Sequence, residues 1–337
     1  MSITIEEDIS LKDFTTFKIG GEAGYFVRVS SVLELKEAID FAKKERLPYF
    51  ILGGGSNVLV SDEGFSGLVI KMEMGGIKFS GNEVVAGAGV NWDELVAKTV
   101  EEGLFGLENL SLIPGTVGAS AVQNIGAYGV EAKDKIAWVE AIDFETGELV
   151  FLTKEQCNFG YRTSLFKRPE GKKHIITRVA FSLSKNGILN TDYKDVSEYI
   201  LKNNIKNITQ KELREAIIYI RKNKLPDLNK LGTAGSFFKN PVISEELFLD
   251  LSQRFSGLSG KKTGDGMVKV PLAWIFDNIC GFKGVRAGAV GVYENQALVL
   301  VNYGGAGSQD ILALAEEMAD SVKEKTGIDI EREVEII

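Results

Sequence analysis

Short stretches of this 337-residue chain combine small residues with hydroxyls, amides and charges at spacings that suit chemistry. The first is Gly53-Gly54-Gly55-Ser56-Asn57, set between the apolar runs Ile51-Leu52 and Val58-Leu59-Val60. Consecutive residues without a Cβ let the backbone take positive φ and point several N–H groups into one concavity, which suits phosphate oxygens. Ser56 and Asn57 add side-chain donors there, although a ligand-free hairpin corner would use the same residues. The second stretch runs from Ser111 to Gly129 and holds Gly115, Gly118, Gly126 and Gly129 with little bulk between them. Side chains this small cannot fill a core, so the backbone is expected to lie against something large, flat and separately supplied, such as a cofactor. The third, Gly232 to Pro241, sets Ser236 between Gly235 and the pair Phe237-Phe238, with Lys239 and Asn240 close behind. A serine hydroxyl is a poor acid in water, yet it can protonate a carbanion-like centre that is more basic still.

Charged residues supply further candidates. Tyr161-Arg162 offers a planar fork for a carboxylate or a flavin carbonyl, or else a solvated surface turn. Lys224, followed by Leu225-Pro226, lies at the negative end of a helix that the proline terminates, and helix-end electrostatics alone would account for it. Glu331, Glu333 and Glu335 alternate along one strand face, which is either solvated or part of a site.

Several chemistries are disfavoured. Gly87-Ala88-Gly89 lacks the third glycine of the dinucleotide fingerprint, and Gly53-Gly54-Gly55 opens a strand rather than a helix. Gly257 to Thr263 has the wrong glycine spacing for a phosphate loop and carries Lys262 where the metal-binding hydroxyl belongs, so it reads as a solvated loop. His174 is the only histidine, in the charged context Lys172-Lys173-His174, and Cys157 and Cys280 stand far apart. No common zinc site can be built from these, no metal is expected, and a hydrolytic triad is disfavoured. Acid-base work falls to hydroxyls, carboxylates, lysines and arginines, with the harder chemistry left to a cofactor.

A composition of 44% hydrophobic and 26% charged residues is that of a globular chain long enough for more than one domain. A net charge of −8 argues against general binding to nucleic acid or an acidic membrane, and leaves room for a local basic pocket. Glu6, Glu7, Asp8, Lys12 and Asp13 interrupt any signal-peptide core, and no run approaches the ~20 apolar residues of a membrane span. Two scattered cysteines fit a reduced cytoplasm, the expected location.

The elements that must position these residues are legible from periodicity. Ser31 with Glu34 and Asn91 with Glu94 predict helix starts, as does Thr209 with Glu212. Strands are predicted at 49–52, 58–60, 68–70, 77–79, 84–86, 136–144 and 175–183, then helices at 244–255, 272–279 and 308–325, the last closed by Gly327. A strand is predicted at 296–301 and an alternating one at 328–337, and the polar stretch 186–208 reads as a domain boundary. The fold class is α+β.

Taken together, Thr16 to Gly20, Gly53 to Asn57, Pro114-Gly115-Thr116-Val117-Gly118, Gln123 to Gly129, Tyr161-Arg162, Gly235 to Pro241 and Glu331 to Val334 resemble the UDP-N-acetylenolpyruvoylglucosamine reductase family, flavoenzymes that complete UDP-N-acetylmuramate for peptidoglycan. The resemblance spans nearly the whole chain. It implies an FAD-binding domain of the vanillyl-alcohol-oxidase type, with subdomains at 1–66 (joined by the final strand, 328–337) and 67–200, and a smaller substrate-binding domain at 208–325. It also implies non-covalent FAD, with NADPH as reductant. The FAD-binding residues would be Gly53, Gly54, Gly55, Ser56 and Asn57 in the first segment. In the second they would be Pro114, Gly115, Thr116, Gly118, Ala119, Ser120, Asn124, Gly126, Ala127 and Tyr128.

By the same resemblance, hydride reaches the methylene terminus of the enolpyruvyl ether, Arg162 and Glu333 stabilise the enolate, and Ser236 gives the final proton. The segment Leu189 to Asp195 resembles the loop of one form of the family, in which a tyrosine covers the substrate, so Tyr193 would lie over the sugar nucleotide. Tyr161, Lys224, Lys239, Asn240 and Gln296 would also bind substrate or nicotinamide. Arg332 stands where proline is frequent and Glu335 where a basic residue is common, which leaves Glu331 as an alternative to Glu333. A small-molecule nucleotide sugar is the expected partner, with no nucleic acid or membrane, and the protein is expected to act as a monomer. Two other readings compete: a flavin-dependent alcohol oxidase of the same superfamily, and a non-catalytic flavin- or nucleotide-sugar-binding protein. The oxidase often tethers its flavin through His or Cys, and His174 and Cys157 lie outside the glycine segments. The binding protein could lose Arg162, Ser236 and Glu333, and all are present.

Overall fold

The computed structural model describes residues 3–264 and 266–337, and the chain forms two compact units. The first comprises the N-terminal residues through Ile9 together with Ala23–Gly54 and Ser66–Lys222. The second comprises Ser10–Glu22, Gly55–Phe65 and Asn223–Ile337. The polar stretch 186–208 lies within the first unit, where Lys194–Lys202 forms a helix that periodicity did not predict.

In the first unit one sheet runs in the order Glu6–Ser10, Glu22–Val29, Phe65–Met72, Tyr49–Leu52. Its last pair is parallel, with Tyr49 opposite Leu68. A second sheet is antiparallel and ordered Leu149–Thr153, Ile136–Asp143, His174–Ser182, Glu83–Gly87, Ile77–Ser80. Helix Val32–Glu45 begins at the predicted capping box, with reciprocal bonds between Ser31 and Glu34, and buries Leu35, Ala38, Ile39 and Ala42 at helical spacing. Asn91 caps helix Trp92–Glu101 by accepting from the Glu94 N–H. Trp92 is buried against Phe181 and satisfies its indole N–H on the Leu110 carbonyl at 2.8 Å, the partner a buried tryptophan needs.

In the second unit, strands Val242–Ser244, Met267–Lys269 and Lys261–Gly264 form one small sheet, in that order, and Arg286–Ala287, Val290–Val292 and Leu300–Asn302 form another. The core is rich in aromatics, with Phe17, Phe237, Phe238 and Phe276 almost fully buried. Helix Ser308–Thr326 closes at Gly327 with φ 73°, as predicted. Its start is held by the Asp62 carboxylate, which accepts from the Ser308 N–H and hydroxyl at 2.8–2.9 Å. That places negative charge at the positive end of the helix dipole.

The expected alternating strand over 328–337 is reduced to Glu335–Ile336, paired parallel to Val58–Leu59, with a bridge between Arg332 and Phe238. Its apolar residues still serve the core, where Ile328 and Val334 are buried. Likewise the strand expected at 296–301 forms over Leu300–Asn302, because the Val299 N–H turns back onto Gln296.

Candidate functional site

In the first unit the two glycine segments meet backbone to backbone. A Cβ built on Gly54 would lie 2.7 Å from the Gly115 Cα, so that position accepts no side chain without displacing backbone, and one on Gly53 would lie 2.8 Å from the Thr116 hydroxyl, which would have to shift. Lys71, on the neighbouring strand, donates to the Gly53 carbonyl, and burial pulls its pKa down. Gly115 (φ 122°) and Leu112 (φ 57°) give the second segment its sharp changes of direction.

Within that segment lies a short helix, Val117–Gln123, that the sequence reading did not assign. Gly118 lets it approach closely, since a Cβ there would sit 2.9 Å from that of Ala88. Val117 and Ala121 enter the core, while the Ser120 hydroxyl donates to the Val117 carbonyl at 2.7 Å. Gly53, Gly54, Gly115, Ala119, Gly126 and Ala127 keep partial exposure. They leave a surface of backbone and small groups, and such a surface fits a flat cofactor bearing phosphates.

Asn124 is fully buried in the left-handed region (φ 46°), with its amide group engaged inside the protein. It donates to the Gly160 carbonyl at 2.7 Å and to Glu131 at 3.1 Å, and accepts from the Lys133 N–H at 3.0 Å. It thereby joins the second segment to the turn that carries Tyr161 and Arg162. Arg162 is itself left-handed (φ 54°), donates to the Gly126 carbonyl at 2.8 Å and lies over the Tyr161 ring. Burial pushes the Glu131 pKa up, but hydrogen bonds from Lys133 and Asn124 and the charges of Lys133 and Arg162 hold it below the usual carboxylate range. Sequence reasoning passed over Glu131 and Lys71, which sit beside candidate positions without motif spacing of their own.

Tyr193 ends the loop before helix Lys194–Lys202 and is 43% exposed, with its ring edge-on to Tyr128 at 5.2 Å. Tyr128 is buried with φ 47°.

In the second unit, Gly55 takes φ 63° and leaves no room for a Cβ against the Phe14 carbonyl. The Asn57 amide donates to the Glu333 carbonyl at 3.2 Å. Ser236 follows left-handed Gly235 (φ 74°) and bridges to Val299, while the next N–H, of Phe237, bonds the Leu298 carbonyl at 2.8 Å. The hydroxyl-bearing residue is thus fixed between two backbone anchors. Lys239 pairs with the exposed Glu331 carboxylate at 2.8 Å, and the Glu333 N–H bonds the Phe237 carbonyl at 2.8 Å. The 331–333 segment therefore runs alongside 237–239, and the Glu331 carboxylate is held by Lys239. Asn240 accepts from the Leu272 N–H at 2.9 Å, and the Gln296 side chain accepts from the Leu298 N–H at 3.4 Å. Lys224 ends helix Gln210–Lys224 as predicted.

Comparison with known proteins matches both parts of the chain. Residues 23–153 fit a family model described as an FAD binding domain, and residues 227–337 fit the C-terminal domain of UDP-N-acetylenolpyruvoylglucosamine reductase. The chain is 43% identical over 339 residues to the UDP-N-acetylenolpyruvoylglucosamine reductase of Flavobacterium johnsoniae, covering 99% of each. It is 42% identical over 330 residues to that of Ralstonia nicotianae, covering 96% of each. The crystal structure of the corresponding reductase from Thermus caldophilus superposes with a TM-score of 0.68 at 27% identity, covering 99% of both chains. Glycine segments that exclude side chains, an α+β fold and similarity from one end of the chain to the other lead to the same assignment: the chain belongs to the UDP-N-acetylenolpyruvoylglucosamine reductase family.

Proposed function

We propose that this protein reduces the enolpyruvyl ether of UDP-N-acetylglucosamine enolpyruvate to UDP-N-acetylmuramate, with FAD bound non-covalently and NADPH as reductant. The observation that carries this reading is the succession, along one chain, of an FAD-binding match over 23–153 and a reductase-specific match over 227–337. In this reading 1–66 with 328–337, and 67–200, are FAD-binding subdomains of the vanillyl-alcohol-oxidase type, and 208–325 binds substrate. When bound, FAD supplies a two-electron carrier that takes hydride from NADPH and gives it to the enolpyruvyl methylene.

The chain's own residues do the rest. Gly53, Gly54, Gly55, Ser56 and Asn57 would hold the cofactor through backbone N–H groups and short donors. Pro114, Gly115, Thr116, Gly118, Ala119, Ser120, Asn124, Gly126, Ala127 and Tyr128 would form or support the second wall, with buried Ser120 and Asn124 acting through the backbone they fix. Arg162, anchored on Gly126, presents fixed positive charge to the substrate carboxylate, and charge that is already in place when the enolate develops needs no reorganisation. Glu333 would act with Arg162 where the enolate develops, with Glu331, whose carboxylate pairs with Lys239, as the alternative. The Ser236 hydroxyl donates the proton to the carbon next to the carboxylate, which balances the hydride at the methylene. Tyr193 would cover the nucleotide sugar, and Tyr161, Lys224, Lys239, Asn240 and Gln296 would bind its diphosphate or the nicotinamide.

The two cysteines are free, which agrees with a reducing cytoplasm, and the protein is proposed to act there as a monomer. Sedimentation velocity checks the monomer. Among the described residues, no helix is long and apolar enough to cross a membrane.

The test is anaerobic flavin absorbance. NADPH should bleach it, and UDP-N-acetylglucosamine enolpyruvate should restore it. Bleaching without recovery would reject the acceptor. In Ser236→Ala, bleaching should persist while recovery slows by roughly 100- to 1000-fold, the usual cost of removing one such donor. Recovery at the normal rate would remove Ser236 as proton donor.

A further inference from the structure

Buried polar groups that the proposed mechanism does not use tie the Tyr193 loop to the second glycine segment. The amide of Asn109, 1% exposed, donates to the Tyr128 carbonyl at 3.1 Å and to the Asn190 carbonyl at 2.8 Å. One side chain thus joins the glycine segment to the loop that ends in Tyr193. At the other end of the segment, both peptide groups of left-handed Leu112 are engaged. Its N–H donates to Asp93 at 2.5 Å, and its carbonyl accepts from the Arg221 Nε at 3.2 Å. Asp93 is held in turn by the fork of Arg214 at 2.7 and 2.9 Å.

Arg221 lies on helix Gln210–Lys224 and also donates to the Tyr128 hydroxyl. It therefore spans the segment, from Leu112 to Tyr128. A tyrosine ring held at its hydroxyl by a guanidinium, and at its own carbonyl by Asn109, has few rotamers open to it. The edge of that ring is what the half-exposed Tyr193 packs on. The same helix contributes Leu213 and Ile217 to the small core that includes Tyr128 and Val196, so Tyr128 and the helix after Tyr193 share one apolar patch.

We propose that Arg221 is a positioning residue for Tyr193: by fixing the Tyr128 ring it sets the place of the tyrosine that covers the nucleotide sugar. This rests on the reading of Tyr193 given above. Arg221 then acts on how tightly the substrate is held and leaves hydride and proton transfer alone. Burial lowers the Arg221 pKa, while Tyr128 and Asp93 oppose that shift, in keeping with a charge kept for these contacts.

The test compares wild type, Arg221→Gln, Arg221→Lys, Tyr193→Ala and the Arg221→Gln/Tyr193→Ala double variant, all loaded with FAD. Recovery of the NADPH-reduced flavin is followed anaerobically as a function of substrate concentration. Arg221→Gln should raise the half-saturating concentration by about tenfold, the effect of losing one charge-assisted hydrogen bond, with the limiting rate within about twofold. Arg221→Lys, which keeps the charge, should fall between the two, and serves alone if the Gln variant does not fold. In the Tyr193→Ala background the Arg221 effect should vanish.

Hydrogen exchange over 189–196 should quicken in Arg221→Gln without substrate present. The proposal is overturned if the two substitutions multiply in full, if the limiting rate falls instead of the affinity, or if exchange over 189–196 is unchanged. If substrate fails to reoxidise the wild-type flavin, the functional reading falls, and the exchange comparison still decides the role of Arg221.

Discussion

Gly54 carries its argument by lacking an atom: the Gly115 backbone occupies the place its Cβ would take, at 2.7 Å. Gly54→Ala must push two backbones apart, a kind of overpacking that costs about 1–3 kcal/mol. It should lower both the urea midpoint and the flavin retained per protein after gel filtration, and full retention would show that the two segments do not need their contact to hold the cofactor. Arg162 makes a different point. Its fork reaches Gly126 while its backbone is left-handed, so Arg162→Lys keeps the charge and loses the planar anchoring. Stopped-flow kinetics should show near-normal flavin reduction by NADPH and reoxidation by substrate at least roughly 100-fold slower. Equal slowing of both half-reactions would point to a general structural role. Both residues were legible as candidates, because glycine runs and an arginine after a tyrosine stand out in any chain. Glu131, Lys71 and Arg221 were not, since a lone charge on a strand or helix looks alike whether it meets solvent or a buried carbonyl.

At the scale of elements, local rules performed as expected wherever the bonds they describe are local. The Ser31–Glu34 box and the Asn91 cap start their helices where predicted, and Thr209 and Glu212 exchange bonds at 2.8 and 3.2 Å ahead of helix Gln210–Lys224. Ser31→Ala should cost about 1 kcal/mol, read as a lower urea midpoint at unchanged slope. Helices Val117–Gln123 and Lys194–Lys202 were missed for opposite reasons. The first is built of small residues whose only argument for helix is close packing beneath Ala88. The second is so polar that Val196 alone among its residues is buried. Leu272–Ile275 continues as a π-helical turn over Phe276–Cys280, a local widening no periodicity announces.

For the molecule as a whole, protonation and thiol chemistry give tests that need no substrate. Burial raises the Asp93 pKa, but the Arg214 fork, the Leu112 N–H and the charge of Arg221 together hold it below the usual range. A carboxyl with a depressed folded pKa stabilises the protein above its unfolded value, near ~4, and loses that contribution as pH falls through the folded value. Stability should therefore drop below about pH 4 with a slope that Asp93→Asn makes shallower. An unaltered slope would mean that the pair contributes nothing net. Cys157 is buried in the first unit and its thiol is pushed up to about 12 by burial and then by Glu155, whereas Cys280 lies partly exposed in the second. Iodoacetamide should label Cys157 only on unfolding of the first unit, so mass spectrometry of urea-treated samples reports that unit by itself; labelling of the native protein at Cys157 would contradict its burial.

The sequence alone determined the α+β class, the capped helix starts at Ser31, Asn91 and Thr209, the glycine segments and the family, because each depends on residue type and short-range spacing. It bounded the chemistry as well: one histidine and two distant cysteines leave the acid-base work to hydroxyls and fixed charges. Tertiary structure decided which segments touch. It brought Gly53-Gly54 against Gly115-Thr116, gave Glu331 to Lys239, and placed Arg221 between Leu112 and Tyr128. These are contacts between residues far apart along the chain, and their partners are chosen by packing geometry and by the need to satisfy buried polar groups, neither of which leaves a local signature.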